Sequence, residues 1–302
     1  MISLKQQKNA EFARPEYFTQ SGRSAFKKAI QLLGVADGTI LLPAYIGITD
    51  KEGSGVLDPT EESGASYEFY ALDKRLSPDM EDLAQKIAHP GVRAVLVIHY
   101  FGFPPENFGE VVALCKKHNK LLVEDCAHAL ASSYKGQKLG TFGDAAFYSL
   151  HKYLAVESGG LLRLPANTDP ALQDDIDEAV LAEFARAEWE RIAAVRRSNY
   201  EYVAGKLRAV KPFFASLPEG VVPMNFPIWV DGMDRNDFYF KLQELGVPTS
   251  TLYYRLVQQI DEGLYPLSYD ISRHINNLPI HQSMSREDLD AMLEAVHTVL
   301  GV

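Results

Sequence analysis

An α/β fold on a mostly parallel sheet is what this sequence predicts, and three observations carry the prediction. Short apolar runs such as Thr39 to Leu42, Ala94 to Ile98 and Leu121 to Val123 read as buried strands. Between them lie segments with apolar residues at helical spacing, so strand and helix signals alternate at short intervals. Beyond Pro165 the texture changes to long polar-faced helices. Residues 1–165 are therefore expected to form a large α/β unit, and residues 166–302 a helical connection with a smaller α+β unit. A chain of 302 residues exceeds the usual size of a single core, which agrees with two units.

Taken in order, Ser24 to Leu33 places Ala25, Phe26, Ala29, Ile30, Leu32 and Leu33 on a helical repeat, with Gly34 suited to the C-terminal cap. Thr39 to Leu42 is stopped by Pro43. Ser77-Pro78 opens a second helix through Met80, Leu83, Ala84 and Ile87, which ends near Pro90-Gly91. Ala94 to Ile98 is a β-branched run without alternation, so both its faces are expected to be buried. Val111 to Lys117 reads as a helix. Ala145 to Tyr148 and Gly160 to Arg163 supply two more strands. Residues 170 to 208 read as one or two long helices, Met224 to Val230 as a strand, and Arg235 to Leu245 as a helix. Arg286 to Leu300 closes the chain as a helix, with hydroxyl and acidic residues at its start.

The bulk composition excludes several classes. With 46% hydrophobic, 23% charged and 11% aromatic residues, the chain is an ordinary soluble protein. A net charge of −10 argues against a nucleic-acid partner and against an anionic membrane surface. Cys115 and Cys126 form neither a disulfide framework nor a metal-binding spacing. The opening residues carry no apolar core of signal-peptide length, and the apolar runs are too short to span a bilayer. A cytoplasmic location is expected.

The chemistry concentrates between Leu121 and Gly160. Glu124 and Asp125 leave the end of a strand, where ligands collect in open α/β sheets. A carboxylate there either holds a pyridine nitrogen protonated or caps the following turn. His128, three residues on, either touches the same ring or is polar surface. Ser149 and Lys152 follow another strand, and Lys152 is either a Schiff-base lysine or a surface lysine in a loop. Gly159-Gly160 would allow a tight turn into the next strand. Ser21-Gly22-Arg23-Ser24, just before the first helix, is either a plain cap or a phosphate site made of exposed amides and a cation.

These pieces together resemble the DegT/DnrJ/EryC1/StrS aminotransferase family. Ser21-Gly22-Arg23-Ser24-Ala25-Phe26 resembles its Ser-Gly-Thr-Ala-Ala-Leu. Leu42-Pro43-Ala44, Ile98 to Gly102, Glu124 to Ala129, Ser133 to Gly136, Gly140 to Asp144, Leu278 to His281 and Met284-Ser285 match further motifs in order. The resemblance implies an aspartate-aminotransferase-like, three-layer fold of the pyridoxal phosphate (PLP) fold type I. It implies pyridoxal 5'-phosphate as cofactor, with Asp125 on the pyridine nitrogen and His128 near the ring hydroxyl. Ser149 and the Gly22-Arg23-Ser24 turn would hold the phosphate. Lys152 would be the covalent anchor and proton shuttle, and Tyr45 the nearest aromatic to cover the ring. It further implies a homodimer that moves an amino group from a small-molecule donor, glutamate or glutamine, to a nucleotide-linked keto sugar.

Three departures stand against this pattern. Ser149 and Lys152 are closer in sequence than the family's serine and lysine. A Gly-Tyr-Asn-Tyr-Arg segment, whose asparagine reaches the neighbouring subunit in relatives, has no match in the helical stretch Asp174 to Ala193. The chain is also short for the family. Two other readings are therefore kept: a PLP enzyme of another reaction type or with a non-nucleotide substrate, and a non-catalytic homologue.

Overall fold

A computed structural model describes residues 16–50, 53–164, 174, 176–207 and 210–301. Its first part runs β1 (Glu16–Thr19), α1 (Gly22–Leu32), β2 (Thr39–Pro43), α2 (Leu57–Glu62), β3 (Ser66–Tyr70), α3 (Met80–Ile87), β4 (Val92–Ile98) and α4 (Phe108–Lys117). It continues through β5 (Leu121–Asp125), a small hairpin of β6 (Ser133–Tyr134) and β7 (Gln137–Lys138), then β8 (Ala145–Ser149) and β9 (Gly160–Arg163). The later part contains α5 (Glu178–Arg186), α6 (Trp189–Lys206), β10 (Lys211–Pro212), β11 (Phe226–Trp229), α7 (Arg235–Glu244), α8 (Pro266–His274), β12 (Ile275–Leu278) and α9 (Arg286–Leu300).

Seven strands form one sheet in the order β1-β9-β8-β5-β4-β2-β3. Strands β3, β2, β4, β5 and β8 pair in parallel, and β9 pairs antiparallel with both β8 and β1. Only β9 therefore runs against the others. Six of the seven residues of β4 are buried, so its residues on both faces are covered. This explains the missing alternation in its sequence. A second sheet, β10-β11-β12, is antiparallel and built wholly from residues after 210.

Helix α1 is fixed at both its start and its buried face. Ser21 caps it through a reciprocal pair of bonds with Ser24, and Ala25, Phe26, Ala29 and Ile30 are its buried face. Phe26 stacks on Phe147 of β8, with ring centroids 4.7 Å apart. Gly34 follows in the left-handed conformation, as its place after the apolar repeat predicts. Burying one phenylalanine contributes about 1.5–3 kcal/mol, so this face fixes where the helix starts relative to β8.

The helix opened by Ser77-Pro78 takes its cap from Asp79, whose side chain accepts from Glu81 and Asp82 N–H. The stretch from 170 to 208 contains two helices, divided where Ala187 turns extended. Residues 170–173, 175 and 208 lie outside the described residues, as does Pro165. Strands β1 and β3, unread in the sequence, are the two edges of the main sheet. Each has a neighbour on one side only, and three of the five residues of β3 are not buried, which weakens its apolar signal.

Candidate active site

The carboxyl ends of β4, β5 and β8 converge with the start of α1 and the loop after β2. Glu124 organises the floor without facing a ligand. It is fully buried, and its carboxylate accepts N–H groups from Gly140 (2.7 Å), Phe142 (2.8 Å) and Gly143 (2.7 Å). His99 Nε2 lies 3.0 Å from its other face. His99, Glu124 and Cys126 are, among the described residues, the group with metal-ligand types within 4.8 Å. The oxygens of Glu124 are already committed to four donors, so this cluster is a structural clamp on the loop that leads into β8.

Asp125 takes the turn-closing role that the sequence offered. Its Oδ1 accepts the Ala127 N–H at 2.9 Å and closes the turn, and that is the carboxylate's one hydrogen bond among the described residues. Burial raises its pKa, while the Lys152 ammonium and the Ala127 N–H lower it. A buried carboxylate with an unfilled oxygen suits a protonated ring nitrogen. His128 is buried, 3% exposed, and is not polar surface. Its Nδ1 accepts from the Phe101 N–H at 3.2 Å, which leaves the proton on Nε2. Burial, then the charges of Lys152 and His151, hold it well below the ordinary imidazole range, so it is a neutral donor.

Lys152 sits on a single 3-10 turn, Leu150–Lys152, directly after β8. The turn is pinned by residues that sequence reading missed. Arg196 of α6, only 2% exposed, donates from Nη2 to the Lys152 carbonyl (3.2 Å), from Nη1 to the Met224 carbonyl (2.8 Å) and from Nε to Gln282 (2.7 Å). Gln282 in turn donates to the Tyr153 carbonyl at 2.6 Å, and the Tyr153 hydroxyl donates to the His128 carbonyl. Arg196 stood in a stretch read only as a polar helix, so its sole sequence signal was a cation at no motif position.

Ser149 ends β8 and is buried. A Cβ on Gly22 would lie 3.5 Å from Ser149 Cβ, so the start of α1 abuts that serine. Gly160 makes the approach possible, since a Cβ there would meet the Ser21 carbonyl at 2.3 Å. Gly22, Ser149 and the amides at the helix start are thus brought together, with Arg23 beside them. Ser24 is partly committed elsewhere: its hydroxyl accepts from Ser21 N at 2.8 Å and its N–H goes to Ser21 Oγ at 3.1 Å. Gly22 and Ser149 are the pair brought together here, while the charge of Arg23 acts on Glu62 of α2. Tyr45 is wholly buried, and its described ring contacts are with Tyr100 (5.5 Å) and Tyr253 (5.0 Å).

A model of the DegT/DnrJ/EryC1/StrS aminotransferase family matches residues 18–187. The chain belongs to this family. Among relatives of the DegT/DnrJ/EryC1/StrS family, a dTDP-4-dehydro-2,3,6-trideoxy-D-glucose 4-aminotransferase of Saccharopolyspora spinosa is 36% identical over 166 residues, 50% of this chain and 40% of the relative. A GDP-perosamine synthase of Escherichia coli O157:H7 is 31% identical over 42% of this chain and 38% of its own length. The matches thus span about two fifths of those relatives. The fold is similar to that of the aminotransferase TlmJ from Streptoalloteichus hindustanus (TM-score 0.77, 24% identity, 95% of this chain and 86% of that one). It is likewise similar to Spr1654 from Streptococcus pneumoniae in its PLP-form (TM-score 0.78, 19% identity, 96% and 88%). The aspartate-aminotransferase-like fold expected from the resemblance is therefore the fold of this chain. DegT/DnrJ/EryC1/StrS aminotransferases depend on pyridoxal 5'-phosphate, and the unfilled Asp125 oxygen, the neutral His128 donor and the Gly22 cradle fit that group.

Proposed function

We propose that this chain is a PLP-dependent aminotransferase of amino-sugar biosynthesis, moving an amino group from glutamate or glutamine to a keto sugar carried on a nucleotide. The observation that carries the reading is the buried Asp125 carboxylate with one unfilled oxygen, facing the charge of Lys152 beside a neutral His128.

When bound, the cofactor supplies an electron sink for charge developing on a substrate carbon. Asp125 would keep the ring nitrogen protonated. His128 would donate from Nε2 to the ring and, being neutral, would add no charge that competes with Lys152. Gly22, Arg23, Ser24 and Ser149 would hold the phosphate. Tyr45 backs the aromatic wall. Lys152 Nζ would hold the cofactor at its aldehyde carbon and would carry a proton at the substrate carbon. Arg196 and Gln282 keep the Lys152 turn in register with Asp125, as a positioned proton shuttle requires. The division into units at 1–165 and 166–302, a homodimeric assembly and a cytoplasmic location belong to the same proposal.

The test is direct. Purified chain mixed with PLP should develop visible absorbance, and borohydride should fix the cofactor's mass on the peptide containing Lys152. Lys152→Ala should lose both the fixed mass and all turnover with glutamate as donor. A wild-type chain that takes up no PLP would sink the proposal. One that binds PLP but never transfers an amino group would support another PLP reaction, a reading favoured by the unmatched partner-facing segment.

A further inference from the structure

The loop after β2 carries a glycine, Gly47, two residues beyond Tyr45. A Cβ on Gly47 would lie 3.0 Å from Tyr253 Cδ1 and 3.3 Å from Tyr253 Cα. The space above Gly47 is thus already filled, and it is filled from a segment far away in the chain.

Tyr253 lies in the connection between α7 and α8, and that connection is docked by its backbone on the loop after β2. Ile48 N–H donates to the Arg255 carbonyl at 3.0 Å, Val257 N–H donates to the Ile46 carbonyl at 3.0 Å, and Gly47 and Leu256 form an antiparallel bridge. The Tyr253 carbonyl accepts from Ser272 Oγ at 2.8 Å, and the Tyr254 carbonyl from Arg235 Nη2 at 3.4 Å. Tyr253 itself has φ of 60°, in the left-handed region that non-glycine residues seldom adopt. The surrounding bonds hold it there, and strain of this kind collects at ligand clamps.

This posture delivers the ring to the site. It contacts Tyr45 at 5.0 Å, Tyr100 at 5.5 Å, Phe101 at 6.0 Å and His128 at 6.1 Å. Burial raises the Tyr253 hydroxyl well above the phenol range, and the first neighbouring charge to raise it further is the Asp125 carboxylate. The ring therefore stands near both residues assigned to the cofactor ring.

We propose that Tyr253 is the aromatic side chain that covers the cofactor ring, reaching across from the α7–α8 connection to fill the place left by Gly47. The proposal rests on the PLP reading above. It replaces Tyr45 in that role with the side chain that Tyr45 packs behind, and it makes docking of this connection a condition of cofactor binding.

The experiment measures PLP binding to the full apo chain by absorbance titration, together with the circular dichroism of the bound cofactor. Tyr253→Phe should bind as wild type with the same dichroic band. Tyr253→Ala should weaken binding by about tenfold and alter that band, because a ring contact of this type is worth a factor of that order. Tyr253→Leu, which keeps most of the volume, should fall between them, and it serves if the alanine variant does not fold. Wild-type affinity and an unchanged band in both Tyr253→Ala and Tyr253→Leu would overturn the proposal. So would tighter binding in either, which would mean that the ring obstructs the site. If wild type itself binds no PLP, the parent reading has failed rather than this one.

Discussion

At the scale of the residue, Asp125 divides its two oxygens: Oδ1 closes the turn with Ala127 N–H, and the other is left toward the site. The sequence posed turn closure and a ring partner as alternatives, and the structure places the turn closure on Oδ1 alone. His128 was legible as a candidate ring partner from its place after Asp125. Its burial was not, because that depends on Phe101, Tyr153 and Tyr253, none of which is its neighbour in sequence. This burial makes stability depend on pH. The folded chain holds His128 well below its ordinary value of 6.5, so it binds fewer protons than the unfolded chain does. Stability then declines as pH falls below that value, since the unfolded state gains a proton that the folded state resists. In the apo chain, urea midpoints should drop across this range, and His128→Gln should flatten that drop while keeping an acceptor for the Phe101 N–H. An equally steep decline in the variant would show that other groups govern it.

At the scale of the element, the start of α1 is placed by packing at two points. Phe26 against Phe147 sets the height of the helix on the sheet, and Gly160 lets the Ser21 backbone approach β9. The glycine pair was readable as a tight turn into a strand; the close approach was not, because it joins segments well over a hundred residues apart. Gly160→Ala would place a Cβ 2.3 Å from the Ser21 carbonyl, a backbone clash that no rotamer relieves. We expect a loss of about 1–3 kcal/mol in urea unfolding, and a weaker grip on PLP as the cradle shifts away from Ser149. Unchanged stability and PLP affinity would mean that α1 can slide without cost.

At the scale of the whole molecule, the main sheet and segments from the later part of the chain meet at one site. The main sheet presents Asp125, Ser149 and Lys152, while Arg196, Gln282 and Tyr253 come from later segments and hold or face them. Pairing of chains is tested apart from cofactor binding. Analytical ultracentrifugation should give a particle of twice 33.7 kDa if the homodimer forms, and of 33.7 kDa if the unmatched partner-facing segment has cost the interface. No helix among the described residues is long and apolar enough to cross a membrane.

By itself the sequence determined the alternation of buried strands and helices and the ordered motifs, and it singled out Asp125, His128 and Lys152 as candidates. Those features are local: a run of β-branched residues, a helical repeat or a short motif is complete within a few residues of chain. Only the tertiary structure decided that Glu124 clamps a loop instead of binding a ligand, that Arg196 pins Lys152, and that Tyr253 fills the place above Gly47. Each of these depends on distances between segments remote in sequence, where burial and close approach select a partner that spacing along the chain cannot name.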